Sequence, residues 1–434
     1  MGIYKLNEVF GVSPNPVLSY VERDLIDNKF NDSLDTGNHI VVYGASKQGK
    51  TALVSRHLSY DENIVVRLTP STSISDIYAS VLRQAGIEID VSGVEETGSS
   101  GTATFGIKAK AKLFFLGEGE ASATGAITGT TKTTNSFQYV PFNLAVAQDV
   151  SELLKKVEFN KKIILENFHY LDEEKQKELS FDLRTFQEVG IIFIILGVWR
   201  KKDKLRIYCN DLTDRLDDLP VEPWKEADFR QVIQKGSDKL NIEISEAIIL
   251  TLMENSFGSV GVLQELLKEL CELAGVSITQ QTKFVVDDHN LAIQALQRKC
   301  EEYRETHQQS LELLASGNIT HSKNKDKIPL HLPYYLVRTI LQLGYEGIKS
   351  GASRPLITEK IKKIHHRPED VRASDMSNLL HNLSGLQFKK GLNPPLIDYD
   401  RGKRELLAID STFFYFLKNT DLAEFEEELP TPIE

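Results

Sequence analysis

The chain has 434 residues, enough for two or three domains rather than one core. Apolar residues make up 41% and charged residues 26%, as in an ordinary soluble globular protein, and the net charge of -11 excludes a molecule that binds polyanions over its whole surface. Three widely spaced cysteines, Cys209, Cys271 and Cys300, give neither a disulfide framework nor a zinc spacing, which fits a reducing cytosol. The N-terminus, MGIYKLNEVFGVSPNP, lacks the basic start and apolar core of a signal peptide. No apolar run approaches the ~18 residues of a membrane helix, so a cytoplasmic chain with no membrane contact is expected.

Residues 39–43 (HIVVY) and 63–68 predict short strands, and 73–87 predicts a helix. From Thr102 to Thr130 the sequence alternates with period two. Phe105, Ile107, Ala109, Ala111 and Leu113 share one face, and Lys108, Lys110 and Lys112 share the other. A turn near Gly117 would bring Glu118 and Glu120 back beside the lysines, so cross-strand charge pairing is expected rather than a nucleic-acid stripe. The apolar face needs cover from the parent domain or a neighbouring subunit. Residues 143–157 predict a helix, while KKIILE (161–166) and GIIFIILGV (190–198) are continuous apolar runs of the kind buried in a parallel sheet. Helical patterns follow at 226–240, 245–255 and 259–274. A helix-rich connector spans 286–316, and a polar linker spans 317–328.

The stretch HIVVYGASKQGKTAL (39–53) contains Gly44, Gly49, Lys50 and Thr51 in the spacing G-x-x-x-x-G-K-[ST], after a strand and before a helix. Such a loop points its N–H groups, from Ser46, Lys47, Gln48 and Gly49 to Ala52, at phosphate oxygens, and the helix start adds its positive dipole end. Lys50 would neutralise the outer phosphates of ATP, and the Thr51 hydroxyl would ligate Mg²⁺. A second strand must end in an acid, and KKIILEN supplies Glu166 followed by Asn167.

On these residues the chain resembles the AAA+ and STAND branches of P-loop ATPases, over about residues 17–275. By that resemblance Glu166 takes the magnesium role. Asn167 stands where the family has the water-activating acid, and an amide accepts no proton, so fast hydrolysis is not expected. SYVERDLIDNKF, with Arg23 and Asp24, resembles the family segment that packs near the base. Arg200, after IIFIILGVW, fits the place of an arginine that reads the γ-phosphate. Arg215 in NDLTDRLDDLPVEPW (210–224) fits the arginine offered to a neighbouring subunit's nucleotide. Many relatives carry Gly-x-x-Arg in the helical lid. Here Gly258-Ser259-Val260-Gly261 puts glycine at the arginine's place, as in origin-recognition-like or STAND variants.

At the C-terminal end, 332–348, 354–366 and 371–387 predict three helices. NPPLIDYDRGKRELLAIDSTFFYFL then predicts two strands around a turn at Asp400–Lys403. Three helices and a β-wing resemble a winged helix. Basic residues gather there, including Lys360, Lys362, Lys363, Arg367, Arg372, Lys389, Lys390, Arg401, Lys403 and Arg404. Arg372, Ser374, Ser377, Asn378 and His381 would line the exposed side of the third helix, which could enter a major groove.

The expected fold is an α/β P-loop NTPase parallel sheet with an inserted β-hairpin, a helical lid and a C-terminal winged-helix domain. The boundaries are 1–224 for the core (hairpin about 100–132), 225–284 for the lid, 285–330 for connector and linker, 331–420 for the winged helix and 421–434 for a loosely held acidic tail. The expected function is an ATP-driven, Mg²⁺-dependent switch that homo-oligomerises, hydrolyses slowly and presents its winged helix to DNA. The alternative is a non-hydrolysing STAND-like sensor or adaptor, as in bacterial antiviral systems, that recruits a separate effector protein.

Overall fold

The computed structural model describes residues 2–13, 16–97, 104–115, 136–200, 202–317, 328–392 and 394–432. The first half runs α1 (Leu6–Val9), α2 (Asp24–Asp35), β1 (His39–Gly44), α3 (Lys50–His57), β2 (Ile64–Arg67), α4 (Ile74–Gln84), β3 (Glu88–Thr97), β4 (Thr104–Phe115) and β5 (Ser136–Asn143). It continues with α5 (Ala147–Lys156), β6 (Ile163–Glu166), α6 (Glu173–Glu188), β7 (Phe193–Val198), α7 (Lys204–Tyr208) and β8 (Leu216–Pro220). Five of these strands form one parallel sheet in the order β2-β6-β7-β1-β8. β1, β6 and β7 are buried at every position, so their near-continuous apolar sequences serve both faces. Alternate residues divide between two cores. Val41, Ile163, Leu165 and Ile195 face the layer of α4, α5 and α6. Ile40, Val42, Ile164 and Ile194 face Phe30 of α2 and Leu53 and Val54 of α3.

The predicted 102–130 hairpin is corrected. Among the described residues β4 is the middle of a three-stranded antiparallel sheet, between the preceding β3 and the later β5. The acidic partners of the lysines come from β3: Lys110 lies opposite Asp90, and Lys112 opposite Glu88 with an ion pair of 3.1 Å. Glu118, Glu120 and the rest of 116–130 lie outside the described residues. Ala109 and Ala111 are buried in the main core, so the parent domain covers the apolar face.

The next unit contains α8 (Glu226–Leu240), β9 (Ile242–Ile244), α9 (Glu246–Glu254), α10 (Val260–Leu273), β10 (Phe284–Val286) and α11 (His289–Ala315). The short strands β9 and β10 pair in parallel. Leu6, Val9 and Phe10 are buried in this helical core, so α1 packs with the lid although it precedes the sheet in sequence. Gly236 of α8 permits that docking, because a Cβ there would sit 2.2 Å from the Phe10 ring. α11 has 27 residues and spans about 40 Å. Its Ala292 and Tyr303 belong to the lid core, and its Leu311 and Leu314 to the C-terminal core.

The C-terminal domain contains α12 (Leu332–Ile348), β11 (Ala352–Ser353), α13 (Arg354–Ile364), α14 (Ala373–His381), α15 (Leu383–Lys389), β12 (Ile397–Asp400), β13 (Glu405–Ala408), α16 (Ser411–Asn419) and α17 (Leu422–Glu428). Helices α12, α13 and α14 with the sheet β11-β13-β12 form a winged helix. The third predicted helix is divided at Asn382 into α14 and α15. STFFYFL is helical, not the end of a wing strand. The tail expected to be loosely held is folded through α17. Phe425 is 1% exposed, and Glu426 accepts hydrogen bonds from Arg338 and Gln342 of α12. No helix among the described residues is long and apolar enough to cross a membrane.

Candidate phosphate-binding site

The loop from β1 into α3 turns at Gly49, whose φ of 80° at the helix N-cap favours glycine. The backbone N–H groups of Lys47, Gln48, Gly49, Lys50 and Thr51 have no hydrogen-bond partner among the described residues. Five free donors wrapped around one loop, backed by a helix start, form a nest for an anion. Lys50 folds beside it, its Nζ donating to the carbonyl oxygens of Gly44 (3.1 Å) and Ala45 (2.6 Å). Burial pushes the Lys50 ammonium down to about 8, while the carboxylates of Glu222 and Asp410 oppose that shift.

A cavity of about 320 Å³ opens over this nest, lined by Ser46–Ala52, Asn167, His169, Tyr170 and Trp224. Its upper wall is apolar, built from Val17 and Val21 before the sheet and Val232 and Val260 of the lid. A polar floor with an apolar roof suits a ligand with a flat ring and a phosphate chain. Gln264 of α10 fixes the roof: its Oε1 accepts from the Gly11 N–H at 3.3 Å, and its Nε2 donates to Ser19 Oγ at 2.8 Å.

Glu166 ends β6 on the sheet face that carries α3, as the alternation from Ile164 requires. Its carboxylate accepts from the Tyr60 hydroxyl at 2.9 Å and pairs with Arg67 Nε at 3.0 Å. It is not part of the cavity lining. Asn167 takes a left-handed conformation (φ 60°) that starts a single helical turn over Phe168–Tyr170. Phe168 enters the core, while His169 and Tyr170 line the cavity with Asn167.

The candidate arginines lie outside the cavity. Arg200 follows β7 and sits 3.4 Å from one oxygen of Glu222, whose other oxygen accepts the Ala45 N–H at 3.0 Å. Arg200 and Gly44 thereby line a neighbouring cleft with Glu222, Trp224 and Gly258. Arg23 lies over the Trp224 ring at 3.8 Å and donates to the Val221 carbonyl at 2.7 Å, so it braces the wall from behind. Arg215 precedes β8 at the opposite end of the sheet from the P-loop. It donates to Gln187 at 2.6 Å and pairs with Glu188 at 3.5 Å, at a surface cleft shared with Arg184, Asp211 and Asp214.

Two features decide the architecture. One strand, β7, separates the P-loop strand β1 from the acid-bearing β6, and a helical lid follows the fifth strand and closes on the loop. The fold is a P-loop-type parallel α/β sheet that carries a helical lid. Comparisons with known families and curated proteins return no match for this sequence. Among solved structures the chain is similar to a Walker-type ATPase of Pyrococcus abyssi at TM-score 0.49 and 14% identity, over 94% of this chain and 99% of that one. It is also similar to the Orc1 protein of Aeropyrum pernix, solved in complex with DNA, at TM-score 0.42 and 14% identity, over 97% and 98% of the two chains. A RuvB variant of Thermotoga maritima gives TM-score 0.37 and 9% identity, over 95% and 96%.

Within this site, the middle of the P-loop is held by the other two domains. The Ser46 N–H donates to the Ile409 carbonyl at 3.2 Å, and Ser411 Oγ donates to the Ser46 carbonyl at 3.0 Å. The Lys47 carbonyl accepts from the Gly261 N–H at 2.8 Å and Ser259 Oγ at 3.2 Å, and Lys47 Nζ reaches the Tyr303 hydroxyl at 3.3 Å. Gln48 Nε2 donates both to the Gly258 carbonyl of the lid and to Ser411 Oγ. The Ser46 N–H, read from sequence as a phosphate donor, is thus taken by Ile409, while Lys47 and Gln48 keep free N–H groups among the described residues and send their side chains to the lid, α11 and α16. Glu222, Tyr170, Gln264 and Ser411 were not singled out from the sequence; His169 was named there, with Asp172 and Glu173, only as a residue that could compensate for Asn167.

Proposed function

We propose that the chain is an ATP-dependent molecular switch. The observation that supports this best is the anion nest of Lys47–Thr51 with buried Lys50 beneath a partly apolar cavity. The main-chain donors and Lys50 would bind the phosphates, and the valine-lined roof would hold the base. Mg²⁺ keeps several waters and needs few protein ligands beside the phosphates. The Thr51 hydroxyl fits that need, and Glu166 lies on the correct sheet face once Arg67 yields. Bound Mg²⁺ would supply charge neutralisation to the phosphate chain. The loop contacts of Ser46, Lys47 and Gln48 give such binding a route to the lid and the winged helix. The expected homo-oligomer would bring a neighbour's Arg215 towards the site.

DNA is the proposed partner of the winged helix. Arg372, Ser374, Asn378 and His381 are exposed on α14, as are Arg401, Lys403 and Arg404 on the wing turn. The second reading, a sensor or adaptor that holds ATP and recruits a separate effector, draws support from Asn167 and from the Glu166 carboxylate, already engaged by Tyr60 and Arg67.

The test is nucleotide binding by the full chain with Lys50→Ala. Loss of a charge-assisted contact predicts a fall in ATP affinity of about tenfold or more. An unchanged affinity removes the switch reading. Phosphate release measured with and without duplex DNA separates the two forms: DNA-stimulated turnover favours the DNA-acting ATPase, and persistent ATP occupancy favours the adaptor.

A further inference from the structure

Family resemblance points to a lid arginine that reads the end of the phosphate chain, but at that position this chain has Gly261. The structure gives a reason why no side chain stands there. A Cβ on Gly261 would lie 2.6 Å from Lys47 Cβ and 2.7 Å from the Lys47 carbonyl oxygen. The start of α10 lies directly against the P-loop, held by the Gly261 N–H donating to that carbonyl at 2.8 Å. An arginine cannot occupy this contact. If the site distinguishes a triphosphate from a diphosphate, another residue must do so.

We propose that His169 is that residue: a direct, specificity-determining contact for the terminal phosphate, resting on the nucleotide reading above. The left-handed turn at Asn167 and the burial of Phe168 bring the His169 ring to the cavity wall. The ring packs on Tyr170 with centroids 4.4 Å apart, which fixes its plane. Its Nδ1 is buried and has no hydrogen-bond partner among the described residues. A buried polar atom left unpaired costs about 1–3 kcal/mol, so a ring that can complete its bonding with a ligand or a ligand-bound water gains from that ligand. Burial, then the charges of Lys50 and Lys204, hold the imidazole down to about 3, so it is neutral at pH 7 and offers one N–H and one lone pair.

Position selects the terminal phosphate. The nest of Lys47–Thr51 surrounds the part of the chain nearest the loop. His169 stands beyond it at the end of β6, two strands from the P-loop strand. A diphosphate fills the nest, and the extra phosphoryl group of a triphosphate extends towards Asn167 and His169. The neighbouring acids are committed elsewhere. Asp172 caps α6 by accepting from the Lys175 N–H, and Glu166 is held by Tyr60 and Arg67.

The experiment compares the affinities of the full chain for magnesium-bound adenylyl imidodiphosphate and for ADP by calorimetry, in wild type, His169→Leu, His169→Gln and Lys50→Ala. The wild type is expected to prefer the triphosphate analogue. His169→Leu should lose about tenfold in affinity for the analogue with ADP unchanged, and His169→Gln should recover part of that loss through its amide. Equal loss for both nucleotides, no loss for either, or a wild type without preference overturns the proposal. If His169→Leu does not fold, His169→Gln carries the test: a tri-to-diphosphate preference identical to wild type overturns the proposal. Lys50→Ala separates the levels. If it leaves both affinities intact, the nucleotide reading itself fails. If it abolishes binding while the histidine variants keep the wild-type ratio, only the His169 assignment fails.

Discussion

His39 begins β1 with both ring nitrogens engaged: Nε2 donates to the Leu183 carbonyl at 2.8 Å, and Nδ1 accepts from the Phe193 N–H at 2.9 Å. That pattern requires the neutral ring, and burial pushes its pKa down to about 4. An unfolded histidine takes up its proton near the ordinary 6.5. The stabilisation is therefore complete above that value and is lost as pH falls from about 6.5 to about 4, on the order of 3 kcal/mol in all. Urea unfolding midpoints at pH 7 and pH 5 should show a stability loss in wild type that His39→Gln shares only in reduced form. Parallel slopes in the two proteins would place the effect on other groups. At this scale the P-loop was legible because its signal is local: two glycines, Lys50 and Thr51 within eight positions, between a strand and a helix. Glu222 and Ser411 were not legible, because their meaning comes from contacts with Ala45 and Ser46 that lie 177 and 365 residues away. The arginines Arg23, Arg200 and Arg215 show the converse, since a charge in a plausible position says nothing of where its side chain points.

Elements buried on both faces were read well, since a continuous apolar run bounded by polar residues leaves few alternatives to a central strand. The hairpin was misread because period-two alternation reveals a strand and its faces but not its partner. β4 has neighbours on both sides, and the acids opposite its lysines are upstream. The C-terminal helix α17 was hidden by its acidic composition, since Phe425, which is buried in the C-terminal core, stands among glutamates. For the lid, the close approach of α10 to the P-loop depends on Gly261. Gly261→Ala should force the helix start away from Lys47, because the contacts are with Lys47 Cβ at 2.6 Å and its carbonyl oxygen at 2.7 Å, both fixed by the backbone and unable to swing aside. Thermal melting of this variant should show a small loss of stability, of order 1–3 kcal/mol as for other overpacked sites, and a larger loss of nucleotide affinity. A variant with wild-type affinity would show that lid and loop are not coupled through this contact.

Across the whole molecule, three units meet at the P-loop: the sheet carries it, the lid holds Lys47, and the winged-helix domain holds Ser46 and Gln48. Nucleotide in the nest should therefore be felt at α16. Hydrogen exchange should slow at Ile409–Asn419 when nucleotide is added to wild type. In Ser411→Val that change should vanish while protection at α3 persists. Retention of the α16 response would move the coupling to the long helix α11. The general plan of sheet, lid and winged helix was legible from the sequence because each unit has its own hydrophobic period. Their meeting at one loop was not, since it depends on how three finished units dock.

The junction of Ser46 with Ile409 and Ser411 also has a consequence in time. A growing polypeptide presents its P-loop early, yet the last brace on that loop is made some 365 residues later. During synthesis the sheet and lid can therefore form before Ile409 and Ser411 are available, so this brace on the loop closes only after α16 has been made.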